Sequence, residues 1–170
     1  MTDVDLAVRL LRTTPTHENR PESQLREWAG KALAYGDELA GIEDDGEIRV
    51  VDREGGAGSR ELLLAEHHRG TVTVYSDSLR RVEELARAKG WPVTREALRT
   101  AAVAHELAHH LLDVRELNRR LGHTALRFGP VRVRGHVAGA EEIAAHRFAH
   151  RRSGLAVSPL LITTALAGGN

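Results

Sequence analysis

The chain has 170 residues and no cysteine. That excludes a disulfide framework, an iron–sulfur cluster, a thiolate zinc site and a cysteine nucleophile. Any metal must be held by His, Asp or Glu. Aromatic residues make up 4%, methionine occurs once, and Lys31 and Lys89 are the two lysines among 24 basic residues. The lysine scarcity reads as a coding bias. No run approaches the roughly 20 apolar residues of a membrane span. Met1 to Thr14 lacks the basic start and apolar core of a signal peptide and carries Asp3 and Asp5 instead. The expectation is a soluble cytoplasmic protein with no membrane partner.

What is present is one domain's worth of chain, 41% apolar, long enough for a core without staples. The formal charge is zero, from 24 basic and 24 acidic residues, so no global polyanion signature exists. The zero hides an asymmetry: residues 1–85 sum to −7 and residues 86–170 to +7. There are also ten histidines.

Apolar spacing predicts helices over Asp3–Thr13 and Glu22–Leu39, joined by a polar linker, Thr14–Pro21. Gly30 and Gly36 weaken the second helix. Residues 1–40 read as a helical N-terminal extension of a single domain. Glu47–Asp52 and Glu61–His67 are strand candidates flanking a Gly-rich loop, Glu54–Ser59. The alternation in Thr71-Val-Thr-Val-Tyr-Ser76, after the turn residue Gly70, marks the clearest strand. Asp77 or Ser78 should cap a helix that runs to Lys89 and stops at Gly90. Thr94 should cap a central helix extending to about Leu117. Leu121–Gly139 is a basic loop with a possible strand. Helices over Ala140–Arg151 and Pro159–Leu166 complete the chain.

The central helix contains His105-Glu106-Leu107-Ala108-His109. Positions i and i+4 share a helix face, so both imidazoles can meet one metal, with Glu106 beside them. Two histidines and a glutamate on an otherwise apolar helix are costly unless something binds them. A zinc ion active in hydrolysis needs a third protein ligand and an open position. Glu141, Glu142 and His146 on the next helix are candidates. Glu142 is favoured because its face continues through Ala145 and Ala149, which allow close approach; Glu141 suits the helix N-terminus.

The stretch Val103-Ala-His-Glu-Leu-Ala-His-His-Leu-Leu112, followed by Glu142-x-x-Ala145-x-x-Phe148-Ala149, resembles the ImmA/IrrE-type metallopeptidases. It is also similar to the small zincins called minigluzincins. The likeness covers about residues 70–152, the expected catalytic core. The family's Asn position holds His146 here. Its Leu-Leu-Met-Pro tail is replaced by Arg151-Arg152-Ser153-Gly154-Leu155, which favours the broader gluzincin group. The resemblance implies a small α+β zincin-like fold: a short mixed or antiparallel sheet packed on the HExxH helix and a second ligand helix. It implies Zn²⁺ held by His105, His109 and Glu142, and peptide-bond hydrolysis with Glu106 as general base. A polar residue at His146 would support a ligand.

The strand Thr71, Val72, Thr73, Val74, Tyr75 is the candidate edge for pairing with an extended peptide or protein substrate. Tyr75, His123 and His136 are candidate oxyanion donors, and spacing does not choose among them. His67, His68 and His150 read as surface residues. Arg132, Arg134, Arg147, Arg151 and Arg152 form a basic cluster by sequence. It reads as a solvated face that attracts acidic substrate or pairs with the acidic half, and nucleic acid is not the expected partner. The alternative function is a catalytically silent or latent gluzincin, a regulatory protein- or nucleic-acid-binding module whose termini could occupy the cleft.

Overall fold

Thr2 opens the first helix with a reciprocal cap. Its hydroxyl accepts the Asp5 N–H while the Asp5 carboxylate accepts the Thr2 N–H at 2.8 Å. The computed structural model describes residues 1–17, 19–43, 46–58, 62–128 and 130–168. Its elements in chain order are α1 (Asp3–Arg12), α2 (Glu22–Ala40), β1 (Arg49–Arg53), β2 (Ala65–His68), β3 (Thr71–Tyr75), α3 (Ser76–Ala88), α4 (Arg95–Leu111), α5 (Val114–Leu121), β4 (Thr124–Phe128), β5 (Val131–Arg134), α6 (Ala140–Ser153) and α7 (Pro159–Ala167). The fold is α+β, as expected. Among the described residues, no helix is long and apolar enough to cross a membrane.

The first sheet is mixed, with strand order β1-β3-β2. β1 runs parallel to β3, and β2 runs antiparallel to it. The two-residue turn Arg69–Gly70 has φ of 47° and 76° at its two positions, as a tight hairpin between right-twisted strands demands. This corrects the expectation for Thr71, Val72, Thr73, Val74 and Tyr75. They form the central strand, hydrogen-bonded on both sides, so they offer no open edge. Val72 and Val74 are fully buried, which explains the β-branched alternation without a substrate. The open edge beside α4 belongs to β2. Ser59 and Glu61, from the expected loop and strand, lie outside the described residues.

Thr94 caps α4 as expected, its hydroxyl accepting the Ala97 N–H at 3.2 Å. The helix ends at Leu111 rather than near Leu117. Asp113 accepts the N–H groups of Arg115 and Glu116 and so starts α5 as a separate helix. The Asp113 N–H in turn donates to the Tyr35 hydroxyl of α2. α3 starts at Ser76 without a side-chain cap. Asp77 instead accepts the N–H groups of Ala57 and Gly56, at 2.9 and 3.2 Å, and pins that loop to the helix.

α6 is the centre of the molecule. It packs on α4 on one side and on α2 on the other, more extensively than any other helix pair. Ala140, Ile143, Ala144, Ala145, Phe148 and Ala149 are buried along it. α2 buries Leu25, Trp28, Ala29, Ala32, Leu33, Tyr35 and Leu39. Residues 1–40 are therefore part of the core, and not an appendage to it. The close crossing depends on Gly36, where an added Cβ would lie 2.5 Å from the Ala144 carbonyl oxygen. Arg147 of α6 seals this layer by bonding Asp37 at 2.7 Å and Asp3 at 2.9 Å.

Candidate metal centre

His105 and His109 lie one turn apart on α4, and Glu142 faces them from the first turn of α6. Their side chains converge. The two Nε2 atoms are 3.2 Å apart, His105 Nε2 is 3.4 Å from Glu142 Oε2, and His109 Nε2 is 3.0 Å from Glu142 Oε1. Donors bound at 2.0–2.1 Å to one tetrahedral ion lie about 3.3 Å from each other. The triangle matches that spacing, and two imidazoles with a carboxylate are the donor set such an ion takes. His146, one turn beyond Glu142, offers a further nitrogen. Donor atoms of His105, Glu142 and His146 all lie within 4.8 Å of one another, a group that could hold a metal ion.

The electrostatics follow from this packing. The His105 and His109 rings hold the Glu142 carboxyl well below the usual carboxylate range. Glu142 in return raises the His109 imidazole above its ordinary value. Burial, reinforced by His105, pushes the His146 imidazole down to about 3, so it is neutral at any ordinary pH. His105 Nδ1 is buried without a hydrogen-bond partner. Its ring is held by packing instead, at 4.6 Å from His146 and 4.8 Å from His109, centroid to centroid.

Glu106 accepts the backbone N–H of His67 at 3.2 Å. This contact joins α4 to the open edge of β2. The Tyr75 N–H bonds to the Leu64 carbonyl. With Ala65 opposite Val74 and His67 opposite Val72, the alternation of the ladder turns the N–H and C=O of Ala65 and His67 outward. The His67 ring stands edge-on against His110 of α4, at 4.7 Å. Pattern alone places His67 on the surface; the strand register brings it to Glu106.

A pocket of about 580 Å³ opens beside these groups. His105, Glu106, Glu142 and His146 form its polar end. Leu62–Ala65, the Leu98 and Ala101 face of α4, and Pro159, Ile162 and Leu166 of α7 form its apolar walls. In the sequence the wall carries no motif. Its one trace there is a pair of apolar runs, Leu62-Leu-Leu64 and Pro159-Leu-Leu-Ile162, outside the recognised motif.

The expected oxyanion donors are not gathered at the site. The Tyr75 hydroxyl bonds Glu66 at 2.5 Å, which raises the phenol's pKa. His123 packs on Trp28 at 5.0 Å, with His17 on the same indole at 5.4 Å. Neither Tyr75 nor His123 lines the pocket. His136 stands nearer, its Nδ1 3.8 Å from Glu141 at the start of α6. Glu141 sits beside His136, and Glu142 is the residue that completes the triangle. The basic cluster divides as well. Arg147 and Arg151 pair with Asp37, and Arg152 bonds the Ile42 carbonyl, while Arg132 and Arg134 stay exposed. No protein-family model, curated protein or solved structure matches the chain.

Proposed function

We propose that the chain is a zinc-dependent peptidase, with His105, His109 and Glu142 as the metal donors. One observation carries this reading: Glu106 lines the same pocket as His105 and Glu142, two of the three converging donors, and also touches the open edge of a β-strand. An ion held by that triangle supplies Lewis acidity toward water and toward a carbonyl oxygen. Glu106 serves as the general base, taking a proton from the attacking water and passing it to the leaving nitrogen. The outward N–H and C=O of Ala65 offer backbone pairing to an extended peptide, which gives affinity with little sequence demand. The apolar walls favour a bulky apolar side chain next to the cleaved bond. His146 stays neutral and packs on the His105 ring, so it holds that ring in place without competing for a proton. No residue of α1 or α2 lines the pocket, whereas the C-terminal helix α7 forms one of its walls.

The test is Glu106→Gln against wild type, by elemental analysis and a peptide-library digest. The variant should keep its metal and lose cleavage by at least about 100-fold. Cleavage at the wild-type rate would remove Glu106 from the mechanism, and absence of metal from both proteins would remove the centre itself.

A further inference from the structure

The strands β4 and β5 form a two-stranded ribbon that packs chiefly on itself. Its register places Arg127 directly opposite Arg132, and Thr124 opposite Arg134. Arg127, Arg132 and Arg134 alternate onto one face of the ribbon and are exposed. Like charges directly opposed on a strand pair destabilise it, yet none of the three has an ion-pair partner among the described residues. Elsewhere several arginines of the basic half pair with the acidic half: Arg99 with Asp52, Arg120 with Glu38, and Arg147 with Asp37 and Asp3. The ribbon is charge left over after that pairing. Arg20, 5.9 Å over the Trp28 ring on which His123 also packs, adds a fourth cation at its root.

The ribbon leads directly into the helix that carries Glu142, and His136, just past β5, stands 3.8 Å from Glu141. The Gly135 N–H donates to the His123 carbonyl and extends the ribbon's ladder, and the chain then enters α6 and reaches Glu142. We infer that this arginine face is a docking surface for an acidic segment of the polypeptide substrate, beside the residues being cleaved. The inference rests on the peptidase reading above. Nucleic acid fits less well. Four exposed guanidinium groups neutralise about four phosphates, and Trp28, the aromatic at the root, is 2% exposed and offers no stacking platform.

The test is equilibrium binding to zinc-loaded Glu106→Gln protein, read by fluorescence anisotropy, so that no peptide is cut. The probes are a labelled peptide with a glutamate run beside one leucine, its glutamine counterpart, and a short DNA duplex. The glutamate peptide should bind about tenfold tighter than the glutamine peptide at low salt. That advantage should shrink as salt shortens the screening length. Adding R127Q, R132Q and R134Q together should abolish the advantage and leave glutamine-peptide affinity unchanged. The three side chains are exposed and Arg127 and Arg132 repel each other, so the thermal melt should not fall; if it does, R132Q alone carries the same comparison. Equal affinity for the two peptides would overturn the inference, as would an advantage that survives the substitutions. Duplex binding that is tighter than glutamate-peptide binding and lost with the arginines would also overturn it, assigning the ribbon to nucleic acid. If wild type cleaves nothing while Glu106→Gln still discriminates, docking stands and the catalytic reading falls.

Discussion

Substituting alanine at two glycines of α2 should have opposite effects. Gly30 and Gly36 both lie inside the helix, where glycine costs about 1 kcal/mol relative to alanine. At Gly30 a Cβ meets nothing within 4 Å, so Gly30→Ala should recover that amount. At Gly36 the same Cβ lies 2.5 Å from the Ala144 carbonyl oxygen and 2.8 Å from the Arg147 Cβ, whereas ordinary contact begins at 3.4 Å. α2 and α6 must therefore separate by about 0.9 Å. Neither helix can yield cheaply, because both bury a row of core side chains that separation would open. Overpacking of this kind costs about 3 kcal/mol at the upper end of its range. Less the helix-propensity gain, Gly36→Ala should lose about 2 kcal/mol. For a chain of this size, Tm should fall by about 4–8 °C for Gly36→Ala and rise by about 2–4 °C for Gly30→Ala. Ala144 lies between Glu142 and His146 on α6, so the strain is applied to the helix that carries the donors. Zinc affinity by calorimetric titration should drop in Gly36→Ala and hold in Gly30→Ala. If both variants melt on the same side of wild type, the account of the α2–α6 crossing is wrong.

The third donor can be identified by metal content. His109→Ala should lose zinc, because His109 closes the triangle with His105 and Glu142, and His146→Ala should retain it; the reverse result would make the donor set His105, Glu142 and His146. Acid should act through Asp77. The Ala57 and Gly56 N–H groups lower its carboxyl to about 2, so its contribution is complete above the ordinary carboxylate value and disappears as pH falls through about 2. Urea midpoints of wild type and Asp77→Asn should differ at pH 6 and converge between about pH 4 and 2; a gap that stays constant over that range would mean the carboxylate does not hold the loop.

Local signals were legible in the sequence, and non-local ones were not. The Thr94 cap, the Gly90 stop and the HExxH face depend on residues within a turn of each other, and they appear where the pattern puts them. Glu142 was separable from Glu141 because Ala145 and Ala149 mark the face that approaches α4. The break at Leu112 is not legible because Asp113 has two roles at once. It caps α5, and its N–H is held by Tyr35, 78 residues away. The sheet edge is not legible for a related reason. Alternation in Thr71–Tyr75 reports a strand buried on one face but is silent on which neighbours flank it. Only the pairing of β1 and β2 on either side decides that, and with it the position of His67. Gly36 weakened the helix prediction by propensity, yet in the structure it is the residue that lets α2 reach α6.

The charge asymmetry combines a local and a non-local effect. A −7 half and a +7 half in one chain could mean two separately charged surfaces. The structure uses most of the difference internally, since ion pairs from residues 3–52 to residues 99–151 tie α1, α2 and β1 to α4, α5 and α6. Most of these pairs are partly exposed, so each adds at most about 1 kcal/mol. Their larger effect is orientation. Asp37 can be satisfied by Arg147 and Arg151 together only when α2 lies against the outer face of α6, which leaves the inner face to α4 and the donors. Neutralising Asp37 should then loosen the metal centre without touching it. Asp37→Asn should weaken zinc binding in proportion to its loss of stability, and the weakening should be reproduced in wild type by salt that screens the pair. If zinc affinity is indifferent to both, the halves are joined by apolar packing alone and the charge pattern has no part in building the site.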